Sequence, residues 1–267
     1  MDLELKDKVI LVTGGDKGIG LGISQVLAKE GAKVIVIGRT EKDVLTAVQD
    51  IKDQGGAVDY EIAELTDPKA CERVVASVIK KHQSIHGLVN NAGVNDGVSL
   101  AGGSYDKFIH SINKNLTHYY MMAHFCLDEL KKNQGAIVNI SSKTAATGQG
   151  GTSGYAAANG GRNALTREWA VELLPFKIRV NAIIVAESFT PLYKRWIQTF
   201  PNPEEKLKGI IENIPLENRM TTAEEIANTT AFLLSSKSSH TTGQLLYVDG
   251  GYTHLDRAIK PTQIHEN

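Results

Sequence analysis

A serine and a tyrosine thirteen positions apart are the side chains of this sequence best suited to chemistry on an oxygen atom. Ser142 ends an apolar run, and Tyr155 lies near the start of the segment SGYAAANGG (153–161). A tyrosine hydroxyl can exchange a proton with a substrate oxygen, while a serine hydroxyl can hold that oxygen in place. The interpretation therefore depends on whether the surrounding elements bring the two hydroxyls together.

Asn159 stands four residues after Tyr155, so both side chains lie on one face of any helix that begins near residue 153. A free phenol titrates near pH ~10, and a phenolate at neutral pH needs a positive charge close by. Asn159 carries no charge. Lys143 beside the serine, and Arg162 three residues after Asn159, are two cations that could supply one.

Short apolar runs alternate with helical patterns along the chain, as expected for strands buried in a parallel sheet and the helices that connect them. The runs predict strands at 8–15, 33–38, 57–65, 87–93, 135–142, 178–183 and 244–251. The helical patterns fall at 19–32, 42–56, 67–82, 105–132, 153–174 and 222–234. This alternation predicts an α/β fold: a single Rossmann-type, doubly wound sheet of seven parallel strands with helices on both faces.

One long polar stretch, 184–220, interrupts the alternation and contains four prolines. This stretch is too long for a simple connection, so we expect it to be either a lid over a site, at 186–215, or an insertion. The single domain is predicted to span residues 1–258. The last residues, 259–267, show no apolar pattern and are expected to form a C-terminal tail.

The composition excludes several classes of partner. The chain has 267 residues and a formal net charge of -1, so no bulk field draws it to nucleic acid or to an anionic membrane. Its apolar runs are far shorter than the ~18 residues that a membrane span needs. The amino terminus lacks the pattern of a signal peptide, which predicts a cytoplasmic protein. The histidines show no ligand spacing, so no metal site is predicted.

The segment TGGDKGIG (13–20) predicts a nucleotide site. Gly14, Gly18 and Gly20 follow the first strand and open a helix, where glycines let a pyrophosphate approach backbone N–H groups. Arg39 follows the second strand, where a carboxylate would favour NAD. Arg39 and Lys17 can instead meet a 2′-phosphate. The sequence thus favours NADP, with NAD as the alternative.

Several segments, in this order, resemble the short-chain dehydrogenase/reductase family: TGGDKGIG, NNAG (90–93), NKNL (113–116), the serine pair before YAAAN, and RVNAI. The resemblance covers residues 5–252. It implies a nicotinamide cofactor and hydride transfer between C4 of the nicotinamide and a carbon bearing an alcohol or a carbonyl. The family also implies a homotetramer.

The resemblance also assigns roles to individual residues. Tyr155 would be the acid/base, Ser142 would orient the substrate oxygen, and Asn115 would hold a water in a proton relay. Besides the glycine loop, Lys17 and Arg39, the cofactor-binding positions implied are Ile19, Asn90, Ala92, Gly93, Tyr155 and Thr190.

Two positions depart from the family pattern. The family has a lysine where this chain has Asn159; that lysine holds the nicotinamide ribose and favours the phenolate. We expect its loss to reduce the rate at pH 7 by about two decades or more while cofactor binding is largely kept. The other departure is Val185, where a proline is usual.

Three interpretations of Asn159 are open. The chain is an active dehydrogenase in which the lysine was replaced, a natural member whose charge comes from Lys143 or Arg162, or a pseudoenzyme that binds nucleotide without turnover.

Within the family the chain looks most like the bacterial L-fucose dehydrogenase group, on segments such as NNAGVNDG, TREWAVEL, TPLYKRWIQTF and HTTGQLLYVDGGYTHLDRA. Those enzymes oxidise the C1 hydroxyl of L-fucopyranose to a lactone, and L-galactose and D-arabinose have similar stereochemistry. Candidate sugar-binding residues are Asn95, Asp96, Lys143, Gln149 and Glu187, with Trp196 to stack on the ring. The enzymatic alternative is an oxoacyl or ketone reductase.

Overall fold

Seven short apolar segments form one parallel sheet in a computed structural model that describes residues 1–256. The spatial order is β3–β2–β1–β4–β5–β6–β7. The strands are β1 Val9–Thr13, β2 Lys33–Gly38, β3 Val58–Ile62, β4 Gly87–Asn90, β5 Ala136–Ser142, β6 Arg179–Val185 and β7 Leu245–Val248. The predicted doubly wound sheet is confirmed. Its order reverses between β1 and β4, where such folds bind ligands beyond the carboxyl ends of the strands.

Helices cover both faces of the sheet. They are α1 Gly18–Lys29, α2 Glu41–Asp53, α3 Pro68–His82, α4 Tyr105–Ile112, α5 His118–Asn133, α6 Thr144–Thr147, α7 Ser153–Glu172, α8 Pro191–Ile197, α9 Pro203–Ile211 and α10 Ala223–Leu234. One apolar cluster joins α1, α2 and α10 to the sheet, and a second joins α3, α5 and α7 to the opposite face. Strands such as β1 and β4 are buried throughout because both of their faces are covered.

The long helix predicted at 105–132 is interrupted. Between α4 and α5 the chain makes a π-helical turn, Asn113–Thr117, with Asn115 at its centre. A π turn changes the hydrogen-bonding pattern of the helix locally, and such turns are frequent at functional sites. The interruption lies beside the catalytic end of the cleft described below.

The stretch predicted to be irregular, 184–220, contains two helices, α8 and α9. Thr190 caps α8, with its hydroxyl accepting from the Tyr193 N–H at 3.2 Å, and Pro191 takes the first helical position. Prolines that looked like interruptions in the sequence therefore begin helices here. The predicted boundary at 258 and the tail 259–267 lie outside the described residues.

Within residues 1–256, no helix combines the length and the apolarity that a membrane crossing requires. The same part of the chain holds no group of three or more His, Cys, Asp or Glu side chains placed to bind a metal ion.

Candidate active site

A cleft of about 450 Å³ opens at the carboxyl ends of β1, β2, β4, β5 and β6. At one end its wall is the glycine loop. Gly14 and Gly18 have positive φ angles, and a Cβ at position 20 would overlap the Gly14 carbonyl oxygen. The first turn of α1 has no side-chain cap and no acidic residue. Its free N–H groups therefore face the cleft beside backbone that only glycine allows, as an anion site requires.

The loop after β4 forms the opposite wall. Asn91 binds the first loop through its Nδ2, which donates to the Thr13 and Gly14 carbonyl oxygens at 2.9 and 3.2 Å. Asn90, which was expected to line the nucleotide, is instead fully buried, and its Nδ2 donates to Asn139 Oδ1 at 3.1 Å. The cleft is lined by Asn91, Ala92 and Gly93 but not by Asn90, because the side chain of Asn90 is committed to the contact between β4 and β5.

Lys17 and Arg39 both line the cleft at the adenosine end predicted from the sequence. Each has a carboxylate partner: Lys17 pairs with Asp43, and Arg39 lies 3.7 Å from Glu64. The Arg39 side chain is 68% exposed, so its pairing is weak and easily exchanged for another anion.

Ser142 and Tyr155 both line the opposite end of the cleft. Ser142 is the last residue of β5, and Tyr155 lies in the first turn of α7. Ser142 Oγ accepts a hydrogen bond from the Thr144 N–H at 3.3 Å, which leaves the hydroxyl hydrogen free to donate. The fold thus places two hydroxyl-bearing residues, thirteen positions apart in sequence, on the wall of one cleft.

Asn115 does not line the cleft. Its Oδ1 accepts from the Val94 N–H at 2.8 Å, and its Nδ2 donates to the Ser111 carbonyl at 3.0 Å. The side chain therefore joins the π turn to the loop after β4 and to α4. The main-chain carbonyl of Asn115 accepts from the guanidinium of Arg162, with Nε at 2.8 Å.

Asn159 is fully buried and also does not line the cleft. Its Nδ2 donates to the Tyr155 carbonyl at 2.8 Å, and its Oδ1 accepts from Arg162 Nη1 at 2.9 Å. Arg162 does line the cleft, and its Cζ lies 5.9 Å from the centre of the Tyr155 ring. The three side chains share one face of α7, at positions i, i+4 and i+7.

Two buried groups of α5 lie next to Arg162, and the sequence alone gave no reason to select them. Burial, and then the positive charge of Arg162, lowers the pKa of His118 to about 3. Burial raises the pKa of the Tyr119 hydroxyl far above its usual value. Both groups therefore remain neutral near pH 7.

The candidate sugar-binding residues divide into two groups. Lys143 and Glu187 form an ion pair, with side chains only 9% and 13% exposed. Lys143 Nζ also lies 3.8 Å from the centre of the Tyr252 ring. This pair adjoins Ser142 and follows β5 and β6.

The other candidates are not brought together with that pair. Asn95 and Gln149 are exposed, and Asp96 accepts from the Ser111 hydroxyl at 2.8 Å. Trp196 belongs to an aromatic ladder on the segment 189–200, with its ring centre 5.0 Å from that of Tyr193. None of the six candidates, Lys143 and Glu187 included, lines the cleft itself, whereas Tyr193 does. Burial, and then the negative charge of Glu187, raises the pKa of the Tyr193 hydroxyl.

Comparisons with known proteins agree with this geometry. A family model described as enoyl-(acyl carrier protein) reductase matches residues 14–253. The 3-oxoacyl-(acyl carrier protein) reductase FabG of Thermotoga maritima is 33% identical over 93% of this chain and 99% of that protein. L-Xylulose reductase of Bos taurus is 33% identical over 94% of this chain and 99% of that protein. The crystal structure of Cj0485 dehydrogenase has a TM-score of 0.92 at 46% identity, covering 97% of this chain and 99% of its own.

The chain belongs to the short-chain dehydrogenase/reductase family, whose members are oxidoreductases that bind nicotinamide cofactors. The cleft joins an anion-binding helix terminus to a serine–tyrosine pair, which suits a reaction at a CH–OH group.

Proposed function

We propose that the chain is an NAD(P)-dependent dehydrogenase that oxidises a sugar hydroxyl to a lactone, with C1 of L-fucose, or of the related L-galactose or D-arabinose, as the target. The observation that carries this proposal is one cleft that combines the uncapped start of α1 with Ser142 and Tyr155.

The residues present fit a nicotinamide dinucleotide. The glycine loop and the first turn of α1 would hold the pyrophosphate, because their N–H groups lack partners in the helix. Ala92, Gly93 and Thr190 also line the cleft, and Ala92 and Thr190 lie against the glycine loop. When bound, the cofactor supplies the acceptor for the hydride of the sugar.

The remaining chemistry belongs to the chain itself. Ser142 donates its free hydroxyl hydrogen to the substrate oxygen and so fixes its position. Tyr155 takes the proton of the substrate hydroxyl during oxidation and returns it during reduction. Seven residues between 186 and 195 line the cleft, and they would limit the access of water, as is expected of a lid.

The substrate class is argued from the ion pair of Lys143 and Glu187. The pair does not line the cleft itself, but Lys143 directly follows Ser142 in the chain, so the two charges hold donors and acceptors at fixed positions beside the catalytic serine. Sugar hydroxyls can use both kinds of partner at once, whereas the acyl chain of a fatty substrate can use neither. The aromatic ladder of the lid, which includes Tyr193 and Trp196, provides the apolar surface that a sugar ring also needs.

Turnover of L-fucose tests the proposal directly. We expect reduction of NADP or NAD with L-fucose, L-galactose and D-arabinose, and much less with D-fucose, which has the same composition and opposite stereochemistry. Tyr155→Phe is expected to lower kcat by about a thousandfold, because it removes the acid/base. The matched control, Tyr60→Phe on the exposed edge strand β3, is expected to keep full activity.

Other outcomes identify the alternatives. Reduction of an acetoacetyl thioester with no turnover of any sugar would make the chain a ketone reductase. Tight binding of NADPH without turnover of either substrate class would make it a nucleotide-binding pseudoenzyme.

We further propose that NADP is preferred to NAD. The support is the pair of cations Lys17 and Arg39 at the cleft wall, where a 2′-phosphate can replace their weak carboxylate partners. Arg39→Leu is expected to lower the ratio of kcat/KM for NADP to that for NAD by about tenfold or more. Lys42→Met, an exposed cation of α2 outside this cleft, is the control. An unchanged ratio in Arg39→Leu would contradict the preference.

A homotetramer and a cytoplasmic location complete the proposal. Large apolar side chains are exposed on the outer helices, among them Tyr105, Tyr120 and Val171 at 78%, 51% and 69%. Such side chains on a folded surface favour contacts between copies. Analytical ultracentrifugation should give a single species of four chains, and a monomer at micromolar concentration would contradict it.

A further inference from the structure

Arg162 is a buried cation at the catalytic end of the cleft, with 3% of its surface exposed. Its Nε and Nη2 donate to the Asn115 carbonyl, and its Nη1 donates to the Ile140 carbonyl at 3.1 Å and to Asn159 Oδ1 at 2.9 Å. All of these acceptors are neutral oxygens. No ion pair of the described residues includes Arg162. A guanidinium stays protonated in proteins, so a full positive charge is held here without a counter-ion.

The fold provides a specific place for this guanidinium. The Asn115 carbonyl that accepts twice from Arg162 belongs to the π turn, and Ile140 belongs to β5. A Cβ at position 93 would lie 2.7 Å from Arg162 Nη2, so the glycine after β4 leaves the room that the side chain needs. Three separate elements therefore place one charge at the cleft wall near Tyr155.

The other titratable groups around Tyr155 do not cancel this charge. His118 and Tyr119 are kept neutral near pH 7 by burial. Lys143 is balanced by its ion pair with Glu187. The remaining ionisable side chains that line the catalytic end are Lys114, Tyr193 and Arg195. None of these three is a carboxylate. The carboxylate of Asp96 approaches the start of α7 through the Ser111 hydroxyl, to which it is hydrogen-bonded at 2.8 Å, but it does not line the cleft.

We propose that Arg162, oriented by Asn159, supplies the positive charge that favours the ionised form of the Tyr155 hydroxyl. The pair Asn159–Arg162 then does what one lysine at position 159 does in the family pattern. Arg162 keeps its own proton throughout, so it acts as a fixed charge, and the proton of the substrate hydroxyl goes to the Tyr155 oxygen. Arg162 is a positioning residue in this scheme, and its role rests on the proposed dehydrogenase function.

The test compares variants that keep, remove or move the charge. Arg162→Gln and Arg162→Met remove it, Arg162→Lys keeps it, and the double variant Asn159→Lys/Arg162→Met moves it by one turn of α7. We expect the neutral variants to lose about ten- to hundredfold in kcat for L-fucose at pH 7, with little change in KM and recovery at alkaline pH. Arg162→Lys and the double variant should retain most of the activity.

Arg167→Met is the matched control, because Arg167 is an exposed cation of the same helix. Thermal unfolding establishes which variants are folded. If Arg162→Met does not fold, Arg162→Gln is used as the neutral variant. A neutral, folded variant with the pH profile of the parent chain would overturn the proposal. So would a loss of rate that is equal at every pH, since that indicates a structural role alone.

A second readout needs no substrate. The ultraviolet absorbance of phenolate, measured against pH in each variant and in its Tyr155→Phe counterpart, isolates the ionisation of Tyr155 by difference. We expect the transition to move to higher pH when the charge is removed, and an unmoved transition would overturn the role of Arg162. If the parent chain oxidises no sugar, the proposed function fails while this titration still decides the role of Arg162.

Discussion

Arg162 and Arg179 both donate to main-chain carbonyl oxygens, and neither forms an ion pair within the described residues. Arg179, in the first position of β6, donates to the Leu233, Leu234 and Ser235 carbonyls at 2.6, 3.4 and 3.0 Å. These oxygens lie at the carboxyl end of α10, where carbonyls lack helical partners and carry a partial negative charge. Arg162 donates instead to a π turn, a strand and an amide, and it faces an open cleft.

The difference shows how one functional group can have two uses. The positive charge of Arg179 is balanced by the partial negative charge at the carboxyl end of α10, so the contacts of Arg179 are those of a structural residue. The charge of Arg162 is held by neutral oxygens and remains available to whatever occupies the cleft. A buried cation without a counter-ion is costly unless something compensates it, and at Arg162 the cleft is where that compensation would come from.

The largest expected effect is that of a second cation at position 159. Asn159→Lys alone would place an ammonium beside the guanidinium, where Asn159 Oδ1 now lies 2.9 Å from Nη1. We expect the free energy of unfolding to fall by about 3–5 kcal/mol, because a buried charge is left uncompensated. Urea unfolding measures this, with Ala157→Lys on the exposed face of α7 as the control. Unchanged stability together with a faster rate at pH 7 would show that Arg162 does not fill the role of the lysine.

Removal of Arg179 should cost stability and leave catalysis alone. Arg179→Met takes away the donors to several carbonyls at the end of α10 and to the Ser238 hydroxyl at 2.7 Å. We expect about 2–3 kcal/mol less free energy of unfolding and an unchanged pH profile of kcat. A shifted pH profile of kcat in Arg179→Met would mean that Arg179 also influences catalysis, and the distinction between the two arginines would fail.

The charge of Arg162 near His118 is expected to affect how strongly the stability of the folded chain falls at low pH. Its pKa is lowered to about 3 in the folded chain by burial and then by Arg162, whereas an unfolded histidine titrates near ~6.5. Between these values only the unfolded chain binds the proton, so the folded state loses about 1.4 kcal/mol per pH unit as the pH falls. His118→Gln should remove this loss, about 2 kcal/mol at pH 5.

The control for that experiment is His124→Gln, an exposed histidine of the same helix. In the Arg162→Met background the acid sensitivity should shrink, whereas in the Arg179→Met background it should persist. If the acid sensitivity persisted in Arg162→Met and shrank in Arg179→Met, then Arg162 would not be the charge that lowers the pKa of His118.

The smallest effect is expected at an arginine that does have carboxylate partners. Arg219 pairs with Glu217 and Glu225, and this contact lowers the pKa of Glu225 to about 2. The Arg219 side chain is 45% exposed, and exposed pairs contribute little to stability. Arg219→Met should lower Tm by less than about 2 °C at pH 7. A larger drop in Tm would mean that the exposed ion pairs of Arg219 contribute more to stability than their exposure predicts.

The fold could be predicted from the sequence because its signals are local. Strand-like segments, most of them continuous apolar runs, identified all seven strands, and their alternation with helical patterns predicted that the strands are parallel. The interruption at 113–117 could not be predicted, since the sequence NKNLT continues a helical pattern and the π turn depends on what packs around it. Pro191 and Pro203 favour irregular structure when only the sequence is considered, but proline is also favoured in the first turn of a helix, and both residues begin helices here.

Part of the candidate site could also be predicted from the sequence, and part could not. The glycine loop, Ser142 and Tyr155 were selected from spacing, and the structure places them in one cleft. The choice between Lys143 and Arg162 as a source of charge stayed open, because it is decided by partners distant in sequence. Lys143 is paired with Glu187, whereas Arg162 binds the Asn115 and Ile140 carbonyls. No pattern along the chain shows which main-chain oxygens a side chain will meet.

The seven-residue spacing of Tyr155 and Arg162 bears on how the chemistry of such chains is judged from their sequences. A search pattern that requires lysine four residues after the tyrosine covers a single turn of α7 and would class this chain as inactive. Because seven residues make almost two complete turns, the second turn brings a side chain back to the same face. A pattern that accepts asparagine at the fourth position when arginine follows at the seventh would retain chains built like this one for assay.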